Sequence, residues 1–296
     1  MKLAVVGSIN MDMTVTAERI PLKGETLTGD RLSLTPGGKG ANQAVAMAKL
    51  GAEVEMFGCV GEDSHGSMLL ENLKQAGVIT EHMQITGRKP TGIALITVAE
   101  NDNTIVVVPG ANGLVDRAYI DRVKPYLTAY DMIVLQQEIP HDTIRYVVSF
   151  CAEHNIPVVL NPAPAAEVPL HVIEQVTYLT PNEHEAACIF GKERSTEELL
   201  SMYPEKLIIT QGAKGVSVCL KSGEILHVPA GTVNVVDTTG AGDTLNGAFC
   251  VRIAAGDDLK SALEYANVAA GLSTEKFGAQ TGMPTAEEVA RVMALR

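Results

Sequence analysis

No stretch of this 296-residue sequence approaches the roughly 20 consecutive apolar residues that a membrane-crossing helix needs. The opening MKLAVVGSIN also lacks the basic-then-apolar layout of a secretory signal, so the sequence predicts a cytoplasmic protein with no membrane partner. Positive charge is scarce: 23 Lys and Arg stand against 35 Asp and Glu, a formal net charge of -12. A chain of that sign repels polyanions, which argues against nucleic acid as a partner and requires any phosphate site to be local. The five cysteines, Cys59, Cys151, Cys188, Cys219 and Cys250, are odd in number and show no CxxC spacing. They are expected to be small buried hydrophobes and not a disulfide framework. None of the seven histidines falls in HxxxH or HExxH spacing, so no zinc site is predicted. There is no internal repeat, low-complexity run or linker, and a single domain over residues 1–296 is expected.

What is present is the balance of a globular protein, 46% hydrophobic and 20% charged. Short β-branched runs alternate with helical patterns. Strands are predicted at Leu3 to Val6, Val54 to Val60, Met132 to Gln136, Val158 to Leu160, Val176 to Thr180 and Leu207 to Thr210. Helices are predicted at Gly40 to Leu50, His65 to Ala76 and His141 to His154. This rhythm implies an α/β fold: a doubly wound, mainly parallel sheet with helices on both faces. Two segments depart from it, Met13 to Thr16 with Thr26 to Thr35, and Thr91 to Thr97 with Thr104 to Pro109. Their alternation predicts extra antiparallel strands, either a small β lid over a ligand (about residues 13–35 and 91–109) or two surface hairpins without function. Val216 to Leu220 and Glu224 to Val228, around Ser222-Gly223, read as an ordinary hairpin.

The segment Asp237-Thr-Thr-Gly-Ala-Gly-Asp243 reads as a loop that opens a helix. The amides of Gly240, Ala241 and Gly242 at such a helix start can bind a phosphoryl group. Asp243 would compete with that anion unless it accepts a proton from an attacking alcohol; the alternative is that it caps the helix. Pro36-Gly-Gly-Lys-Gly-Ala-Asn-Gln43 contains Gly-Lys but is not a P-loop, because position 33 is Ser and position 40 is Gly. It reads as a tight turn feeding a helix, with Gly38, Lys39 and Asn42 available to a polyol. No GxGxxG follows the first strand. Gly7-Ser-Ile-Asn-Met-Asp12 instead places Asn10 and Asp12 there, suited to sugar hydroxyls or simply to a turn.

Together with NPAPA at Asn161 to Ala165 and TPNEHEA at Thr180 to Ala186, these motifs fall in an order and spacing that resembles the ribokinase branch of the PfkB carbohydrate kinase family over essentially the full chain. The resemblance implies ATP-dependent phosphorylation of D-ribose at its 5-hydroxyl, with Asp243 as base. It matches Asn10, Asp12, Gly38, Lys39, Asn42 and Glu138 to sugar-holding positions. On the nucleotide side it matches Asn182, the turn Thr210, Gln211, Gly212, Ala213, Lys214 and Gly215, then Gly242 and Asn267, the last beside the adenine. Asn182 and Glu185 match an NxxE motif linked to magnesium and phosphate. Asp237, the carbonyl of Thr239, Ser273, Lys276 and Gly278 match a monovalent-cation site, in ribokinases potassium. One departure is Gly282, at the last position of that loop, where the family often has a serine hydroxyl. The irregular strands would form the lid and a homodimer interface. The competing readings are a related kinase for deoxyribose, a nucleoside or another sugar, and a non-catalytic sugar-binding protein of the same fold. An α/β oxidoreductase is opposed by the missing dinucleotide fingerprint.

Overall fold

The computed structural model describes residues 1–100 and 102–295; positions 101, within the expected lid range, and 296 lie outside the described residues. The chain opens with β1 (Lys2–Val6), β2 (Asn10–Thr16) and β3 (Arg31–Gly37), then α1 (Lys39–Lys49), β4 (Glu53–Phe57), β5 (Cys59–Gly61) and α2 (Ser64–Gln75). It continues through β6 (Gln84–Thr86), β7 (Gly92–Ala99), β8 (Asp102–Val108), α3 (Arg117–Leu127), β9 (Met132–Gln136) and α4 (His141–Glu153). Next come β10 (Val158–Asn161), α5 (Leu170–Gln175), β11 (Tyr178–Leu179), α6 (Glu183–Phe190) and α7 (Thr196–Met202). The last part holds β12 (Ile208–Thr210), β13 (Val216–Cys219), β14 (Ile225–Val228), α8 (Ala241–Ala254), α9 (Leu259–Ser273), α10 (Ala279–Gly282) and α11 (Ala286–Met293).

Five strands form a parallel sheet in the order β11-β10-β9-β1-β4. Parallel bridges Leu179↔Leu207 and Asn182↔Thr210 carry it onto the antiparallel sheet β12-β13-β14. The side-chain period of two explains why the central strands read as unbroken apolar runs. On β1, Leu3 and Val5 join one core with Met47, Phe249 and Leu263. Ala4 and Val6 join the opposite core with Ile120, Val147 and Val172. Each fully buried Val, Leu or Phe of these layers contributes about 1.5–3 kcal/mol relative to exposure. Both faces being dry, the sheet can offer a ligand only its edges and strand ends, and the strand ends are where β1, β9, β10 and β12 release polar side chains.

The second sheet, β3-β2-β7-β8, is built from the two segments in which lid strands were expected, with β2 and β7 parallel and the outer pairs antiparallel. Its first strand starts earlier than predicted, at Asn10, so Asn10 and Asp12 sit on a strand and not in a turn. Thr26 to Asp30 is not strand: β2 ends at Thr16 opposite Arg31, which leaves the preceding residues no ladder to join. The predicted strand Val54 to Val60 is broken at Gly58, where a Cβ would stand 2.9 Å from the Gly7 carbonyl oxygen. Val176 to Thr180 keeps only two ladder residues, although Thr177 and Thr180 amides still bond to Val158 and Leu160 carbonyls. Four of the cysteines are buried as expected; Cys188, on α6, is exposed.

Candidate active site

Asp243 is the third residue of α8. The cap of that helix is Gly240, in the left-handed region at φ 78, and it makes no side-chain capping bond. Only glycine suits this turn, since a Cβ there would also stand 2.7 Å from that of Ala279. The Asp243 carboxylate turns instead toward α1, where Oδ2 accepts from Asn42 Nδ2 at 2.9 Å and Oδ1 from Gln43 Nε2 at 3.1 Å. The two helices come close enough for this because Gly247 of α8 leaves room for the Ala46 methyl of α1. Asp243 is 7% exposed, and nothing lies within 4 Å of where a Cβ on Gly242 would project. The Ala241 amide is engaged in a turn, donating to Thr238 O at 3.2 Å.

Asn10, Asp12, Gly38, Lys39, Asn42 and Glu138 are brought together around the start of α1. Glu138, just past β9, accepts from Ser8 Oγ at 2.5 Å, from the Lys39 amide at 3.0 Å and from Asn10 Nδ2 at 3.5 Å. Asn10 Oδ1 accepts from Asn112 Nδ2 at 2.7 Å, and Asn112 is itself clamped to both backbone groups of Ile9. Neither Ser8, between β1 and β2, nor Asn112, in the short 3-10 helix Gly110–Leu114, carries a periodic signal in the sequence. Burial, with Glu138 and Asp243 nearby and only partial relief from Lys39, pushes the Asp12 carboxyl up to about 7. Burial alone would lower Lys39, but Asp243, Glu138, Glu185 and Asp12 outweigh it and hold the ammonium above its usual range. One lysine among convergent carboxylates and amides presents paired acceptors and donors, the chemistry that matches adjacent hydroxyls.

The remaining expected residues lie along the strand ends toward β12. Asn182 bridges to Thr210, and the exposed 3-10 turn Gly212–Lys214 follows, closed by the Gln211 amide on the Gly215 carbonyl. Lys214 and Gln211 both reach Glu183 Oε1, at 3.5 Å. Asn267 of α9 is buried and donates to the carbonyls of Val228 and Pro229, which fixes the segment leaving β14. Asn182 and Glu185 form a reciprocal capping box: the Asn182 backbone N–H donates to Glu185 Oε2 and the Glu185 backbone N–H to Asn182 Oδ1, each at 2.8 Å, and Asn182 Nδ2 also donates to Glu185 Oε1 at 2.9 Å. Burial first, and then Asp243, raise the Glu185 carboxyl, while Asn182 and Lys39 offset part of it.

Asp237 is threaded into the loop before α8. Its Oδ1 accepts from the Thr239 amide and hydroxyl and its Oδ2 from the Gly278 amide at 2.8 Å. Burial would raise this carboxyl, but those bonds prevail and hold it below its usual range. Across the loop, a Cβ on Gly282 would stand 2.3 Å from Ser273 O and 3.4 Å from Lys276 O. That crowding gives the departure at Gly282 a physical reason, since the carbonyls of Ser273 and Lys276 converge on the place a side chain would occupy. Backbone carbonyls with a carboxylate near them are hard oxygen donors, a set that fits an alkali cation.

A model of the pfkB family of carbohydrate kinases matches residues 1–286. The ribokinase of Bacillus subtilis (strain 168) is 48% identical over 292 residues, covering 99% of each chain. Among solved structures, the ribokinase of Thermotoga maritima is similar at a TM-score of 0.89 and 34% identity, covering 99% of each chain. The ribokinase of Arabidopsis thaliana complexed with ribose and ATP is similar at a TM-score of 0.88 and 29% identity, covering 98% of each chain.

Proposed function

The chain belongs to the pfkB family of carbohydrate kinases, and from that premise we propose that it transfers the γ-phosphoryl group of MgATP to the 5-hydroxyl of D-ribose, giving ribose 5-phosphate and ADP. The observation that carries the reading is the Asp243 carboxylate, held by two amides of α1 at the start of α8. In this reading the sugar lies between Asn10 and Asp12 of the lid and Gly38, Lys39, Asn42 and Glu138 of the body. Asp243 takes the proton as the hydroxyl oxygen bonds to phosphorus and the bond to ADP breaks. The backbone amides of Gly240 and Gly242 face the developing charge, with Ala241 turning from Thr238 to join them. Asn182, Thr210 to Gly215 and Asn267 frame the nucleotide, Asn267 through the backbone it fixes.

Magnesium carried with ATP neutralises phosphate charge when bound. Each oxygen of Glu185 accepts one hydrogen bond from Asn182 and keeps capacity for the water shell of such an ion. Potassium would lie with Asp237, the Thr239 carbonyl, Ser273, Lys276 and Gly278, and would add positive charge beside the anion hole. A single kinase domain with its lid, working in the cytoplasm as a homodimer, completes the reading. Among the described residues no helix is long and apolar enough to cross a membrane. The outer row of the lid, Leu34, Leu95 and Val106, offers an apolar face to a second copy.

The test is ADP release over a panel of ribose, deoxyribose, nucleosides and ketoses, with the Asp243→Asn variant alongside. Ribose is expected to lead the panel. Asp243→Asn is expected to lose roughly 10²–10⁴-fold in turnover while still binding ribose by calorimetry. A near-normal rate in that variant would remove the base assignment, and ribose binding without ADP release by the parent would favour a non-catalytic sugar-binding protein.

A further inference from the structure

Gln43 is assigned to neither the sugar nor the nucleotide in the reading above, yet it is 0% exposed and donates to Asp243 Oδ1. A buried glutamine whose amide is free to turn could present either its oxygen or its nitrogen to that carboxylate. Here the choice is made by its neighbours. Gln136, at the end of β9, donates to Gln43 Oε1 at 2.6 Å, and Asn161, at the end of β10, presents Oδ1 to Gln43 Nε2 at 3.1 Å. With the oxygen occupied by a donor and one N–H by an acceptor, the second N–H has one direction left, toward Asp243. Asn161 is anchored in turn by donating to Thr180 O, and the Thr180 hydroxyl donates to Asn246 Oδ1 at 2.6 Å. Asn246 closes the circuit by donating to Gly242 O in the first turn of α8. The amides therefore run from the sheet to the very turn that presents the carboxylate.

We infer that Gln43 is a positioning residue for the reaction: its N–H fixes the rotation of the Asp243 carboxylate, so that Oδ1 stays occupied and the lone pairs facing the sugar are held in line. The inference rests on the reading of Asp243 as base. A neutral donor suits the task, because it orients the carboxylate without adding a proton that could move onto it. The charged groups around Asp243 are Lys39 from α1, Asp12 from β2 and Glu185 from α6. Gln43 faces it as an uncharged group from beneath.

Two variants test this in the full-length chain. Gln43→Met keeps the volume and removes the donor. It is expected to lower kcat about 10- to 100-fold with the KM for ribose changed less than about threefold, since the loss falls on orientation and not on sugar contacts. Gln43→Glu is nearly isosteric but sets a second carboxyl against Oδ1. It is expected to move the acidic limb of kcat, read at saturating ribose so that the Asp12 binding effect is removed, upward by about one pH unit or more. A kcat within about twofold of the parent in folded Gln43→Met would overturn the inference, as would an unmoved acidic limb in folded Gln43→Glu. Should neither variant fold, Gln43 is a core residue and the inference fails. Full activity in Asp243→Asn would sink the base assignment itself, so the two failures are distinguishable.

Discussion

At the scale of single residues, Asp12 carries a consequence for pH. Its carboxyl, ordinarily near 3.8, is pushed to about 7 by burial and by Glu138 and Asp243. A sugar hydroxyl donating to Asp12 favours the ionised form, so binding should release a proton near neutrality, and ribose affinity should fall as pH drops below about 7. Calorimetry in buffers of different ionisation enthalpy reads that proton directly; a heat independent of buffer at pH 6.5 would mean that Asp12 does not accept from the sugar. Asp12→Ala should weaken ribose binding with less effect on ATP. The same residue sets a stability trend, because the folded chain retains a proton that the unfolded chain gives up between about pH 3.8 and 7. Its contribution is full below that window and lost as pH rises through it. Asp12→Asn should therefore raise the melting temperature relative to the parent by more at pH 8 than at pH 4, and an equal difference at both would refute the shift.

Asp243, Asn42 and Lys39 were legible in the sequence because glycine-rich turns before helices have few chemical uses, and a carboxylate or a lysine in one stands out. Gln43, Ser8, Asn112 and Gln280 were not. Each acts through a partner distant in sequence, as Gln280 does in donating to Asn42 Oδ1 and accepting from Asn72. Only the fold makes such pairs adjacent. The NxxE motif is legible as a motif, but the same residues form a capping box that occupies Asn182 and Glu185 with each other.

At the scale of elements, the parallel strands were read within a residue or two wherever both faces are dry, because an apolar run bounded by turns has few alternatives. Errors gathered where pairing and not composition sets the boundary, at Thr26 to Asp30 and at Gly58. The lid shows what alternation can convey. Its register sets Asp12 beside Thr35 and Ala94, and Met13, on the opposite face, beside Leu34 and Leu95, with Val106 next in the row. Leu34, Leu95 and Val106 are 42%, 46% and 62% exposed, a concentration of apolar surface that water tolerates poorly. Leu34→Asp should convert a dimer to a monomer in light scattering while the isolated chain remains folded. A parent that is monomeric at all concentrations would rule out the lid as an interface.

At the scale of the whole molecule, a net charge of -12 surrounds a site that must receive a polyphosphate. Added salt of any kind screens that repulsion, so activation by potassium has to be separated from ionic strength. Potassium chloride is expected to raise turnover well above choline chloride at equal ionic strength, through the loop where the carbonyls of Ser273 and Lys276 meet at Gly282. Equal rates in the two salts would leave that loop without a cation role.

Only Gly7, Ser8 and Ile9 separate the last residue of β1 from the first of β2. At about 3.4 Å for each extended residue, this tether keeps Asn10 within roughly 10 to 14 Å of the main sheet whatever the outer strands do. Any swing of the lid is thus a pivot near Asn10, with travel growing along the strands toward their far ends. A mouth built this way can open widely at its rim while Asn10 hardly leaves its station.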